Sequence, residues 1–150
     1  MARGLLEKMS EENDKWRAGH ELMVKMMGPE FAATLAASAR SDAFGSDVGR
    51  MAIEHVFGDV WSRPGLAMKY RSAVVVAALV ALRQTAELKN HVRFGLNNGL
   101  SVSELQEIII QTLPYVGFPA ISSALAATIE VLRERGLDGG VKTAEESGIL

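Results

Sequence analysis

The chain has 150 residues, 48% of them hydrophobic but only 6% aromatic, with 16 basic and 18 acidic side chains and a formal net charge of -2. A chain of this length can bury a sizeable core as one domain, and charge spread evenly along it leaves no basic stripe for nucleic acid or an anionic membrane. The absence of cysteine excludes disulfides, thiolate metal sites, thiol redox chemistry and cysteine nucleophiles.

The apolar residues are mostly alanine, leucine, valine, isoleucine and methionine, small or flexible side chains suited to close helix packing, so an all-α fold is expected. Ser10, followed by Glu11, Glu12 and Asp14, suits a helix start, because a hydroxyl caps free amides and acids complement the positive helix end. Gly28-Pro29 stops that helix. Residues 30–40 carry a second helix, "SDAFG" interrupts the pattern, and residues 46–57 carry a third, with Ser46 or Asp47 as its cap and Gly58 as its terminator.

After a turn, residues 66–83 are nearly continuously apolar and predict a helix buried on most sides. Its valines also admit a strand, but the length and the alanines favour helix. Thr85 caps the next helix, whose Leu88, Val92 and Leu96 share a face and whose Asn98-Gly99 suits a left-handed exit. Ser101 to Glu104 has the capping-box pattern and opens "ELQEIIIQTL", so these two segments are expected to pair as a tight hairpin. Gly117 breaks the pattern, Pro119 fits the first turn of a last helix, and Gly136 ends it. The polar, glycine-containing tail 136–150 is expected to be mobile, or to order on a neighbouring subunit.

Three histidines, His20, His55 and His91, show no HxxxH or HxH spacing, so no metal site is expected. The run "AVVVAALVAL" is about half of the ~20 residues that span a bilayer, and "MARGLLEKMSEENDKW" lacks the apolar core of a signal peptide. A cytoplasmic location with no membrane partner is the expectation.

Glu87 and His91 lie four apart on one helix face, the spacing at which a carboxylate orients an imidazole and raises its pKa. The same spacing describes a surface ion pair. His55 precedes the turn "GDVWSRPGLAMKYRS" and reads either as a half-buried histidine held by a backbone carbonyl or as a catalytic one; His20 reads as solvent-facing. Arg63 and Arg71 flank Pro64-Gly65 and Arg93 follows His91, cations that either bind a carboxylate in bidentate fashion or satisfy helix ends and neighbouring acids. Met23, Met26, Met27 and Ile108, Ile109, Ile110 read as core or subunit interface.

In order and spacing, "HVFGDVWSRPGLAMKYRS", "ELKNHVRFGLNNGLS" and "IIIQTLPYVGFPA" together resemble the carboxymuconolactone decarboxylase family, over roughly residues 10–135 of 1–150. The resemblance implies one domain, with a core over 10–135 and a tail over 136–150. It also implies a compact all-α, alkylhydroperoxidase D-like domain of about six to seven helices with a central helical hairpin, assembled as a trimer or hexamer. The disulfide-reducing branch of that fold uses a CxxC pair, which this chain lacks. What remains is the branch that removes CO2 from 4-carboxymuconolactone in aromatic catabolism.

The implied chemistry needs no cofactor, because the departing carboxylate sits on a carbon conjugated to the lactone carbonyl, and that carbonyl accepts the electrons. Matched residue for residue, the resemblance makes His91 the general acid, Glu87 its orienting carboxylate and His55 a second polar group. Arg63 and Arg71 become anchors for an anionic small-molecule substrate, with Trp61 covering its ring. Ala126 stands where comparable decarboxylases carry a histidine, which implies a bulkier or less charged lactone or β-keto acid. An isomerase or cyclase using the same enolate, and a helical oligomer that has lost the reaction, are the alternative readings.

Overall fold

The computed structural model describes the backbone of residues 2–149 and the side chains of residues 14–149. Among the described residues there are seven α-helices, one π-helix and no strand: α1 (Ala2–Met27), α2 (Pro29–Ala39), α3 (Ser46–Met51), the π-helix (Ala52–Trp61), α4 (Met68–Ala81), α5 (Thr85–Asn97), α6 (Val102–Val116) and α7 (Phe118–Glu134). The strand alternative for residues 66–83 is thereby settled in favour of helix. The chain divides into one unit through Leu66 and a second from Ala67 onward.

In the first unit α1 packs chiefly on the π-helix, and α2 and α3 bridge them. The backbone is already helical well before Ser10; the side chains of Ser10, Glu11 and Glu12 lie outside the described residues. Gly28, at φ 90, separates α1 from α2, whose first turn carries Pro29, as the sequence predicts. Two further expectations fail for identifiable reasons. The N-cap of α3 is Gly45, at φ 87, with no side-chain cap bond, and Asp47 is instead drawn to Arg50 one turn on. Gly58 does not end a helix, because the π-helix runs on through it to Trp61.

Gly58 has a packing role. A Cβ there would stand 2.5 Å from the Lys15 carbonyl oxygen, and one on Gly19 would stand 1.9 Å from the Ile53 carbonyl oxygen, so α1 and the π-helix approach backbone to backbone. Met23, Met26 and Ile53 are fully buried, with Phe57 nearly so.

The second unit buries an aliphatic core built from Val76, Val80, Leu88, Val92, Leu105, Ile109 and Val131 with its neighbours. Short connections make neighbouring helices antiparallel, and the helical hairpin of this unit is α4–α5, joined by residues 82–84. The α5 and α6 segments, expected to pair with each other, lie instead mainly against α4 and α7. The local signals at their junction hold: Gly99 takes φ 97, and Ser101 and Glu104 form a reciprocal capping box. Thr85 is the first residue of α5 and Gln84 its N-cap, without a side-chain cap bond. Gly117, at φ 80, and Pro119 open α7 as predicted.

Only one stripe of α4 is fully buried, Ser72, Val76 and Val80, while Tyr70, Val74 and Leu82 remain exposed. The tail also departs from expectation. Arg133 grips Glu146 through both guanidinium terminal nitrogens and donates to the Val141 carbonyl, while Thr143 and Glu146 cap each other. The tail thus folds back on the end of its own α7.

Candidate functional site

The six residues singled out from the sequence divide evenly between the units. His55, Trp61 and Arg63 belong to the π-helix and the turn after it, and Arg71, Glu87 and His91 to α4 and α5. In the first unit, the His55 Nδ1 atom lies 3.2 Å from the Asp59 carboxylate, one turn on, and the same carboxylate oxygen accepts a hydrogen bond from Lys15 Nζ at 3.1 Å. His55 and Lys15 together hold the Asp59 carboxyl below the usual carboxylate range, the His55 hydrogen bond having the larger effect. The partner of His55 is therefore a carboxylate, not the backbone carbonyl considered from the sequence.

Sequence reasoning gave Asp59 no role, although its spacing from His55, the imidazole it pairs with, was visible. Trp61 is 6% exposed, its ring tilted against Phe57 at 6.3 Å between centroids. Arg63 is exposed in the turn, just beyond Ser62, whose hydroxyl donates back to the Gly58 carbonyl.

In the second unit, His91 is half-buried on α5 and Glu87 exposed one turn before it. The His91 ring stands edge-on to Phe94, with centroids 5.3 Å apart and planes at 78°. Burial pulls the imidazole below its ordinary 6.5, and the negative charge of Glu87 opposes this only in part. The upward shift expected from the spacing is thus reversed, because a tertiary effect, the loss of water around the ring, outweighs the local charge. Near neutral pH this imidazole is uncharged, able to accept one proton and donate another.

Arg71 is half-buried near the start of α4. Arg93 makes a bidentate pair with Glu134 of α7, at 2.8 to 3.0 Å, which takes the structural reading of its sequence position. His20 is only half-exposed on α1. Of the apolar sets, Met23 and Met26 are core, whereas in the isoleucine run Ile109 is buried and Ile110 is 49% exposed. Ala126 lines a cavity of about 590 Å³ between α7 and residues 141–146. Among the described residues, no three ligating side chains converge on a point and no helix is long and apolar enough to cross a membrane.

Comparison with known proteins gives three similarities. Residues 46–130 match the profile of the carboxymuconolactone decarboxylase family. A 4-carboxymuconolactone decarboxylase of Acinetobacter baylyi is 31% identical over 126 residues, 84% of this chain and 92% of that protein. A nitrosuccinic acid decarboxylase of Metarhizium robertsii is 30% identical over 92 residues, 61% of this chain and 64% of that protein. Both relatives are carboxy-lyases by name.

Proposed function

Because the chain belongs to the carboxymuconolactone decarboxylase family, we propose that it is a carboxy-lyase acting without a cofactor on a small polycarboxylate that carries its own electron acceptor. The substrates named for the two relatives share that feature. In a carboxymuconolactone the carbanion left by CO2 is delocalised into a conjugated lactone carbonyl; in nitrosuccinate it is delocalised into a nitro group. In both, the C–C bond to the carboxylate breaks, its electron pair moves into the acceptor, and one proton returns to carbon. The protein then has to bind carboxylates, remove water from the one that leaves, and deliver that proton.

His91 is the observation that carries this reading. A half-buried imidazole that is neutral at rest takes up a proton when an anionic substrate is brought against it, since the added negative charge favours the imidazolium. That proton is then passed to carbon once CO2 has left. Glu87 supports the charged form from one turn away. The guanidinium groups of Arg63 and Arg71 suit bidentate carboxylate binding, Trp61 suits a ring face, and His55, oriented by Asp59, is a second polar group. A 4-carboxymuconolactone-like lactone within aromatic catabolism is the first substrate to try, and Ala126, in place of the expected histidine, favours a bulkier or less charged relative of it.

The exposed Tyr70 and Val74 on α4, with Tyr115 and Phe118 at the junction of α6 and α7, support self-association into a trimer or hexamer; sedimentation would report it. The direct test of the function is CO2 release from 4-carboxymuconolactone and from nitrosuccinate in parallel. Saturable release from either supports the reading, and none from both overturns it.

A further inference from the structure

Asn98, the C-cap of α5, donates from its side-chain amide to the Ser72 hydroxyl of α4 at 2.9 Å. Ser72 is the most deeply buried polar side chain among the described residues, and the rest of its buried stripe on α4 is Val76 and Val80. A hydroxyl at such a position costs stability unless it is hydrogen-bonded, a need that an alanine there would not have. A single polar pair inside an apolar helix interface can fix the register of the two helices.

The two helices joined here carry Arg71 and His91. Arg71 immediately precedes Ser72 in α4. On α5, His91, Phe94 and Asn98 follow the i, i+3, i+7 spacing of one helix face. Phe94 meets the His91 ring edge-on, and the Asn98 backbone N–H donates to the Phe94 carbonyl at 2.8 Å. Gly95 keeps the crossing close, since a Cβ there would stand 3.6 Å from the Ser72 Cβ and 2.9 Å from Leu100 Cδ1. The surrounding contacts of Val76, Val80, Leu88 and Val92 are apolar and non-directional, so they tolerate a small slip of one helix on the other. The hydrogen bond does not.

We propose that the hydrogen bond from Asn98 to Ser72 is a positioning contact that sets how α5 lies on α4, and thereby how the His91 imidazole is placed relative to Arg71. Asn98 and Ser72 are positioning residues that act through His91 and Arg71. The effect on turnover rests on the decarboxylase reading given above; the effect on the His91 ring does not. With Arg71 holding a substrate carboxylate and His91 returning the proton, a displacement of about 1 Å between them costs up to roughly a hundredfold in rate. Binding through Arg71 is little changed.

The test takes Asn98→Ala, Ser72→Ala and the double variant of the full chain, with two readouts. The first is NMR titration of the His91 imidazole without substrate. Burial and Glu87 govern its ionisation, and neither Ser72 nor Asn98 carries a charge, so a loss of stability alone leaves the titration where it was. In all three variants it is expected to move up toward 6.5 as α5 slips and water reaches the ring. The second readout is kcat and KM for CO2 release from whichever of 4-carboxymuconolactone and nitrosuccinate wild type decarboxylates. The expected result is a kcat lower by about tenfold or more, with KM within about twofold. The double variant should be no slower than either single one, since both remove the same bond. An unmoved titration overturns the proposal, as does, in an active enzyme, an unchanged kcat, a loss confined to KM, or losses that add in the double variant. If wild type releases CO2 from neither compound, the decarboxylase reading fails and the titration alone decides: a moved titration supports the contact, and an unmoved one overturns it. If Asn98→Ala does not fold, Ser72→Ala, which removes a single oxygen atom, decides by the same readouts.

Discussion

His91 and Phe94 pack edge to face on α5, centroids 5.3 Å apart, and the burial that comes with this packing sets the pH response of the imidazole. Its folded-state pKa is depressed below 6.5, so the unfolded chain takes up the proton first as pH falls. The neutral ring's contribution to stability is therefore intact above pH 6.5 and declines below it, until the folded protein also protonates. The melting temperature of wild type should accordingly fall more steeply below pH 6.5 than that of His91→Gln, which has no charge to gain. Parallel thermal denaturation across this range checks it, and identical slopes would contradict it.

The backbone crossing of α1 and the π-helix predicts a second effect. A methyl group on Gly19 would meet the Ile53 carbonyl oxygen at 1.9 Å, and neither backbone can yield without displacing a helix. Gly19→Ala should destabilise the chain by about 3 kcal/mol, the upper part of the range for overpacking. Urea denaturation measures it, and an unchanged midpoint would contradict the packing described for this crossing.

The same crossing shows where the sequence stops being legible. Helix ends governed by local chemistry could be read from it: Gly28-Pro29, the Ser101 to Glu104 capping box, and Gly117 with Pro119. Gly58 reads as a terminator because a glycine needed for close approach has the same local signature as one needed for a turn; the difference lies in Lys15, 43 residues earlier in the chain. Nothing in "AIEHVFGDVW" announces a π-helix. Of the site, the family resemblance and the Glu87/His91 spacing were visible. The direction of the His91 shift was not, since burial is a property of the packed chain. The His55/Asp59 spacing was visible and went unused, overshadowed by the cations of the turn.

The tail offers a third prediction. Arg133 and the Thr143 amide pull the Glu146 carboxyl down to about 2, so this contact is fully present above the ordinary carboxylate value of 4.5 and is lost as pH falls from there toward 2. Glu146→Gln should free residues 141–149 at neutral pH, seen as faster amide exchange there, with the amides of α4 and α5 unaffected. Unchanged exchange in the tail would contradict its anchoring by this pair.

Ala126 provides a fourth. An imidazole at this position would project into the cavity of about 590 Å³ between α7 and the tail, so Ala126→His should fold with little change in melting temperature. If the alanine selects against the more highly charged lactone, the variant should raise kcat/KM for 4-carboxymuconolactone relative to nitrosuccinate by roughly tenfold, within the range one pocket contact can supply. The ratio of the two specificity constants is the measurement, and a constant ratio would remove Ala126 from substrate selection.

The most direct test of the account is the rate of CO2 release from 4-carboxymuconolactone by wild type and by folded His91→Gln, read together with the ultraviolet spectrum of the product. The account predicts saturable release by wild type and a rate lower by about a hundredfold or more in the variant, as for loss of a general acid. Full turnover by His91→Gln would contradict the role given to the imidazole, and a wild type that releases CO2 from neither this lactone nor nitrosuccinate would contradict the reaction itself.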